Sequence, residues 1–455
     1  MSGLSLLLET ARRALMSQQV GMSVTSHNIS NASTLGYSRQ RVQLVATMPL
    51  KESFGMLGTG VMAQSIGRLR DRFLDTQVRS SNQTLGDASS QYQILSQVET
   101  SFNEPSSSGL SSAMTGFFNA FQSLSLHPED SSSRNAVLQK GASMADMFHR
   151  LSSEMNQLRG ALSDDVTTKV NRINTLTSEL SQLDVQITNT IATGADPSDA
   201  KDQRDLKLEE LSQLINISVS EDPRGSMVVS AGGTAIASRA GSTPLKATVV
   251  GNAIQIVTDP AGSPVDVTAG ELGGTLKMYN TTLPDYLQQL DELAGAIISR
   301  VNTLHAAGSG LGTPPPTGIN FFTGTSAADI GISNAVSTNI NNIAASGDGT
   351  PGNNTVALAL AGVLNEQLLR GNSVSPAQFY NGLVSQIGSA VASADNTSSS
   401  QELVLSQLEN QRSSVSGVSL DEEMTNMIKF QRSYDAAAKL VTTTNDMFQT
   451  ILNMV

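Results

Sequence analysis

The sequence predicts a mainly α, elongated, multidomain protein with an all-β insertion near its middle. Apolar residues recur at spacings of three and four over long stretches, which is the period of an α-helix. Between 215 and 275, by contrast, short β-branched runs alternate with Gly and Pro, as in small antiparallel sheets. The order is nested, with terminal helices outside, helical rod segments inside them and the β segment at the centre. Each helical segment before the β segment can therefore pair with the corresponding segment after it.

The C-terminal stretch predicts one long helix. It has neither Gly nor Pro from Ser419 to the last residue, and Ser419 and Glu422 have the spacing of a capping box. Its residues at helical spacing form a stripe: Leu420, Met424, Met427, Gln431, Tyr434, Val441, Asn445, Phe448 and Leu452. We expect the stripe to contact other helices and the two polar members, Gln431 and Asn445, to fix the register between subunits.

The N-terminal stretch predicts a matching helix. Leu4, Leu8, Leu15, Met22 and Ile29 repeat the same spacing. A turn-prone segment follows, in which Asn28 and Asn31 can satisfy backbone groups at the helix end and Gly36 can adopt a positive φ. Tyr37 is then expected to pack back on the helix or on a neighbouring subunit.

These patterns suggest three domains. Residues 1–40 and 418–455 form a terminal coiled-coil assembly domain, and residues 41–214 with 355–417 form a helical rod with a small β excursion at 42–62. Residues 215–354 form a β-rich insertion. Helices are expected at 70–103, around 117–124, and at 134–192, 198–215, 284–305, 355–369 and 376–413.

Composition limits the possible partners. The chain has 455 residues, a net charge of −12 and no cysteine. The negative charge argues against nucleic acid and anionic membrane surfaces as partners, and the lack of cysteine excludes disulfides and thiolate metal sites. Glu9 interrupts the first apolar run, so no cleavable signal peptide is predicted, and no apolar stretch reaches transmembrane length.

The two terminal helices are predicted to need further partners. Burial of their stripes against one another would offset only part of the conformational entropy lost on ordering both segments, and helix hydrogen bonds recover another part, so the pair alone would be marginally stable. We therefore expect them to be poorly ordered in the free monomer and to fold when neighbouring subunits cover their other faces. The alternative is an ordinary helical hairpin within one chain.

Both ends resemble the flagellar axial family of rod, hook and hook-associated proteins. The family's N-terminal helix ends in an Asn-rich segment that closes with Gly-Tyr, and its last helix carries spaced Glu, Phe-Gln, Tyr and Ala-Lys positions. The matching residues here are Asn28, Ile29, Asn31, Ala32, Thr34, Gly36 and Tyr37, and then Leu420, Glu423, Phe430, Gln431, Tyr434, Ala436, Ala438, Lys439, Asp446 and Met447. Within the family, residues 26–27 and 38–40 are most similar to the hook-associated members.

The resemblance implies a structural subunit in a ring of copies at the hook–filament junction, outside the cell. Expected partners are the hook protein, the next hook-associated protein on the filament side, the flagellar type III export apparatus and an export chaperone at the C-terminal region. The alternative within the family is another axial component, such as a hook, rod or filament subunit.

No residue pattern predicts catalysis, a cofactor or a metal site. Asp196, Asp199, Asp202 and Asp205 recur at spacings of three, but Lys201 and Arg204 interleave, and we interpret them as a solvated helix start. The four histidines are far apart and are expected to be structural or surface residues. A cell-wall hydrolase would need paired carboxylates in a cleft, and a membrane-active translocator would need a long apolar segment.

Overall fold

The computed structural model describes residues 2–52, 55–222 and 224–453. The predicted fold class, mainly α with small antiparallel sheets in the middle of the chain, is confirmed. The helices are α1 (Ser2–Ser30), α2 (Arg72–Phe102), α3 (Leu110–Leu126), α4 (Ser131–Ala192), α5 (Ser198–Leu214), α6 (Gly270–Lys277), α7 (Leu283–Ala307), α8 (Asn334–Thr338), α9 (Thr355–Gly362), α10 (Pro376–Ser416) and α11 (Leu420–Asn453). The 62 residues of α4 span about 93 Å at 1.5 Å per residue, which makes it the longest of the described helices.

An antiparallel β-ribbon follows α1. It consists of β1 (Gln40–Ala46) paired with β4 (Val61–Arg68), and it continues outward as β2 (Leu50–Glu52) paired with β3 (Gly55–Leu57). The register shifts between Gln43 and Leu44, which is a β-bulge. Helix α1 packs against β1 and β4, so the ribbon supports the terminal helix.

The rod is built from helices that are distant in sequence. Helix α2 packs along α10, and α3 packs on α4 and α9. Asp71 caps α2 and Asp130 caps α4 by accepting backbone N–H bonds, and Ser375 and Gln378 form a capping box at the start of α10. A cluster of aromatic rings, Phe117, Phe118, Phe121, Phe321 and Phe322, fills the core between these helices and α7.

His305, on α7, is a structural residue of this core, as the sequence indicated. It is 1% exposed; its Nδ1 donates to the carbonyl of Ile319, and its Nε2 accepts from the backbone N–H of Ala344. Burial lowers the pKa of His305 to about 4.

The β insertion has a core of its own against α4, α5 and α6. Four strands pair in the order β5 (Ser218–Glu221), β6 (Met227–Ala231), β7 (Thr234–Ser238) and β8 (Gly241–Ser242), and β9 (Leu245–Val250) pairs with β10 (Ala253–Thr258). Val229, Ile236 and Ile256 point from these strands into a cluster that includes Leu176 and Leu211 of the helices. Two further short strands, β11 (Phe322–Thr323) and β12 (Gly331–Ile332), pair near the end of the predicted β-rich insertion.

The expectation of β structure up to residue 275 is wrong for α6. Gly274 lies against the backbone of α2, where a Cβ would come within 2.7 Å of the Asp87 carbonyl oxygen. Gly86 of α2 similarly approaches the backbone at Gln213 and Glu271. These glycines let a short helix pack almost backbone to backbone, and that contact outweighs their low helix propensity. A π-helical turn at Met278–Thr282 then joins α6 to α7.

In the ranges that the structure describes, no helix is both long and apolar enough to span a membrane.

Candidate assembly interface

The terminal helices lie side by side and antiparallel. Asn28, near the end of α1, meets Glu423 in the first turn of α11, and Gly21, two turns earlier in α1, lies against the ring of Phe430. A Cβ at Gly21 would come within 2.7 Å of that ring, so the glycine permits the close approach of the two helices. The pairing brings the two terminal segments of the chain together.

A narrow seam of buried residues runs between α1, α11 and the ribbon. The buried residues are Ala11, Ser17, Gly21, Val24, Thr25 and Asn28 on α1, and Glu423, Ala437 and Thr444 on α11. With half-buried Phe430, the α11 residues recur every seven positions, which is the heptad repeat of a coiled coil. Of these residues only Asn28 was among those predicted for assembly, because the others are mostly small or polar. On α11 the seven-residue spacing was the available signal.

The residues predicted for assembly divide into inward and outward sets. Asn28 is buried; Leu4, Leu15, Met22, Ile29, Asn31, Gly36, Tyr37, Met427, Val441 and Phe448 are half-buried; and Leu8, Leu420, Met424, Gln431, Tyr434, Asn445 and Leu452 are exposed. On α11, the half-buried residues and the exposed Leu420 and Tyr434 share one seven-residue register beside the seam, whereas Met424, Gln431, Asn445 and Leu452 share the next register, farther from it. Their role between subunits stays a prediction.

Asn28 is the centre of a buried hydrogen-bond network. Its Nδ2 donates to the carbonyl of Gln40 at 2.9 Å and to the carboxylate of Glu423 at 3.0 Å. Its Oδ1 accepts from the Tyr37 hydroxyl at 2.8 Å and from the Gln40 backbone N–H at 2.9 Å. Both donors and both acceptor positions of the amide are therefore used. This one side chain joins α1, the start of β1 and α11.

Arg39 completes the connection to α11. Its guanidinium contacts the Glu423 carboxylate at 2.7 Å and Glu422 at 2.6 Å, and its backbone N–H donates to the carbonyl of Ser416 at the end of α10. Glu423 is only 2% exposed. Because Arg39 and Asn28 together neutralise and hydrogen-bond this buried carboxylate, its desolvation is compensated.

Of the four acidic residues at the start of α5, Asp196 and Asp199 are exposed, but Asp202 and Asp205 are buried, so the interpretation as a solvated helix start is wrong for those two. Asp202 accepts from both the backbone and the hydroxyl of Ser38, and Arg68 bridges Asp202 and Asp205 at 2.6 and 2.7 Å. Burial alone would raise the pKa of Asp205, but the guanidinium groups of Arg70 and Arg68 outweigh burial and hold that pKa below its ordinary value.

The ionic cluster extends from α5 to helices α2 and α10 of the rod. Arg70 also forms a two-pronged pair with Asp75 of α2, and Glu209 of α5 contacts Arg412 of α10. The segment after α1 is thus fixed to α5, and α5 is fixed to the α2–α10 pair. This arrangement sets the orientation of the terminal helices relative to the rod.

Gly36 places the turn after α1 directly against α5. Its φ is +77°, a left-handed conformation that glycine adopts readily. A Cβ there would come within 2.3 Å of Leu206 Cγ. The expected positive φ is confirmed, and Tyr37 packs back on the helix, with its ring edge-on to His27 at 5.5 Å.

In the part of the chain that the structure describes, no three His, Cys, Asp or Glu side chains come together as metal ligands would. The candidate site consists of a helix pair, a polar network around Asn28 and exposed apolar side chains.

Three family models match the chain. The helical domain of the flagellar hook-associated protein FlgK matches residues 95–322, the flagella basal body rod protein matches residues 8–37, and the C-terminal region of the flagellar basal body rod FlgEFG proteins matches residues 409–454. The two rod-protein matches coincide with the helices that pair here.

Similar proteins are found over the full length. The chain is 32% identical over 502 aligned residues to flagellar hook-associated protein 1 of Bacillus subtilis (strain 168), covering 98% of this chain and 97% of that protein. It is 24% identical to the protein of the same name from Escherichia coli (strain K12), covering 99% and 100%.

A solved structure shares the fold. The flagellar hook junction protein FlgK of Burkholderia pseudomallei superposes with a TM-score of 0.64 at 17% identity, covering 75% of this chain and 100% of that one. With the full-length similarity to the Bacillus protein, these matches show that the chain belongs to the flagellar hook-associated protein 1 family.

Proposed function

We propose that this protein is a non-catalytic structural subunit that assembles in a ring at the hook–filament junction and joins the two. The observation that carries the proposal is the paired terminal helices, on which many large apolar side chains are exposed. These exposed residues are Leu7, Leu8, Met16, Leu420, Met424, Ile428, Tyr434, Leu440, Met447, Ile451 and Leu452. Exposed large apolar side chains in such number are typical of a protein–protein interface.

The composition of the chain favours contact between identical copies. Only 15% of its residues are charged, so we expect neighbouring copies to repel one another only weakly. We infer that copies of the chain lie against the outer faces of α1 and α11. The proposed assembly residues on those faces include Leu8, Met424 and Leu452. Gln431 and Asn445, exposed on α11, would set the register between copies.

The family suggests the remaining partners and the location. We propose contacts with the hook protein on one side and the next hook-associated protein on the other, export through the flagellar type III apparatus, and a chaperone that covers α11 before export. The mature subunit would then be extracellular. The domain division proposed from the sequence fits these roles, with terminal segments for assembly and the central domains facing outward.

Deletion of the gene tests the proposal. Electron microscopy is expected to show hooks without filaments, and flagellin is expected in the culture medium. A plasmid-borne copy should restore attached filaments. If filaments attach to hooks without the protein, the proposal is wrong. If hooks are also missing, the alternative of a rod or hook subunit is favoured.

A peptidoglycan assay tests the absence of catalysis. Purified protein should release no more soluble fragments from cell walls than a buffer control does. Release that scales with protein concentration, and that survives repurification, would favour a cell-wall hydrolase on an axial scaffold.

A further inference from the structure

A cavity of about 340 Å³ lies between α2, α5 and the strands β5 and β6 of the insertion. This volume is within the range of roughly 300–1,000 Å³ that small-molecule sites have. Six basic side chains line the cavity, but only three acidic ones do, Asp75, Asp205 and Glu221. Two of the basic residues, Arg68 and Arg70, belong to the ionic cluster that fixes the segment after α1 to α5. The cavity therefore lies where the terminal helices are joined to the rod, and basic side chains predominate on its walls.

Four of the six basic residues are already paired with carboxylates. Arg72 and Arg204 both contact Glu221 at 2.9 Å, and the ion pairs of Arg68 and Arg70 occupy the other two acidic residues of the wall. Three further carboxylates, outside the cavity, pair with the same arginines. Each carboxylate on the wall of the cavity thus already has a cationic partner.

Arg79 of α2 and Lys201 of α5 are the two remaining basic residues of the cavity. In the described part of the chain neither forms an ion pair, and the guanidinium of Arg79 donates only to the hydroxyl of Thr76, at 3.2 Å. Burial lowers the pKa of both Arg79 and Lys201, because the nearby carboxylates do not offset it. At Arg70, on the same cavity, burial acts in the same direction, but the carboxylates, Asp205 foremost, outweigh it and raise the pKa. The positive charges of Arg79 and Lys201 are therefore the ones that the protein leaves without compensation.

We propose that the cavity binds a small multivalent oxyanion, of the phosphate or sulfate class, between Arg79 and Lys201. A tetrahedral oxyanion has several acceptor oxygens, which match the N–H donors of a guanidinium and an ammonium group. The side chain of Arg72 is 80% exposed, so the cavity is open to solvent on that side and an ion can enter. The bound anion connects α2 to α5 beside Arg68 and Arg70 and so strengthens the joint between the terminal helices and the rod. The inference does not depend on the proposed ring.

Isothermal titration calorimetry of the full-length protein tests the site, with phosphate, sulfate, acetate and chloride as ligands at one ionic strength. We expect saturable binding of one phosphate or sulfate per chain and no saturable binding of chloride. Arg79→Gln and Lys201→Gln should each weaken phosphate binding by roughly tenfold, because each removes a charge-assisted hydrogen bond. Both variants should fold as the native chain does, since neither residue has an ion pair to lose. Arg79→Lys, which keeps the charge, should retain more of the affinity than Arg79→Gln.

Arg239→Gln is the matched control, because it removes an exposed arginine of the insertion that does not line the cavity. This variant should bind phosphate as the native chain does. Absence of saturable phosphate binding, or equal affinity in the native chain and in both cavity variants, would overturn the proposal. Tighter binding of acetate than of phosphate would also overturn it and would indicate that the cavity accepts a carboxylate instead. None of these results bears on the junction function, which deletion of the gene tests separately.

Discussion

Asn28 shows how one residue can specify a joint between distant segments. An aspartate has the same shape but no donors, and a leucine has neither donors nor acceptors. Asparagine is thus suited to bind a backbone carbonyl, a backbone N–H, the Tyr37 hydroxyl and the buried Glu423 carboxylate at once. Its partners come from within 12 residues and from 395 residues away, so the amide links local turn structure to the far end of the chain.

Asn28→Asp should loosen α11. The variant removes both donors and places a second carboxylate beside Glu423, and we expect a loss of about 3 kcal/mol in the free energy of α11 docking. Hydrogen exchange of backbone amides 423–430 should become at least tenfold faster. Asn445→Asp, at an exposed position of the same helix, serves as the control and should leave exchange unchanged. Equal protection in both variants would contradict the role of Asn28.

Gly36→Ala tests the contact between the turn and α5. Gly194 has nearly the same φ, +75° against +77°, but no atom lies within 4 Å of the position that a Cβ would take there. Gly194→Ala should cost about 1 kcal/mol from backbone strain alone, and Gly36→Ala should cost at least twice that because of Leu206. Urea denaturation measures both. Addition of Leu206→Ala should recover part of the Gly36→Ala loss, and no recovery would argue against the steric explanation.

Burial of His305 is expected to make the folded protein less stable in acid. Its pKa is about 6.5 in an unfolded chain and about 4 in the fold, so the unfolded state binds more protons between these values. The contribution of His305 to the free energy of unfolding is therefore fully present above about pH 6.5. It decreases by up to about 3 kcal/mol as the pH falls to 4. His305→Gln should be less stable at pH 7 but should lose less between pH 6.5 and 4. Parallel pH profiles in urea denaturation would contradict this assignment.

At the scale of elements, the sequence identified both terminal helices but not the face on which they meet. Counting large apolar residues selected the stripe through Leu420, Met424 and Leu452, which is exposed in the structure. The inward face instead uses Ala437 and Thr444, whose small side chains let α1 approach closely. A periodic pattern reveals that a helix is amphipathic, but it cannot reveal which of two apolar faces is used within the chain and which is left for other subunits.

Two adjacent alanines separate these faces. Ala437 is 5% exposed, whereas Ala436 is exposed. Ala437→Glu would bury an unpaired carboxylate between α1 and α11 and should cost about 3 kcal/mol or more. Circular dichroism and hydrogen exchange should report loss of helix at both termini. Ala436→Glu should retain the helix pair, and equal effects of the two substitutions would show that the seam is misassigned.

At the scale of the whole molecule, the nested order of segments was sufficient to predict which of the long helices pair with each other. The α1–α11 and α2–α10 pairs follow it. The ionic cluster around Asp202 and Asp205 could not be predicted in this way, because Arg68 and Arg70 lie more than 130 residues away and nothing local distinguishes a buried carboxylate from a solvated one. The backbone contacts of α6 were missed for a related reason, since glycine was interpreted as a marker of turns.

Removal of residues 420–455 tests how far the terminal helices are separable from the rest. The two hydrophobic cores contain buried residues only from 94 to 387 and from 166 to 276, so neither core loses a side chain in the truncated protein. We therefore expect thermal unfolding of the central domains within a few degrees of the full-length value, with helical content lost from both α11 and its former partner α1. Because α1 also loses the Glu423 contact to Asn28, the truncated protein should support no filaments on hooks. Attached filaments in cells with only the truncated protein would show that assembly does not depend on α11. A large decrease in the unfolding temperature of the central domains would show that the terminal helices are part of the folding core.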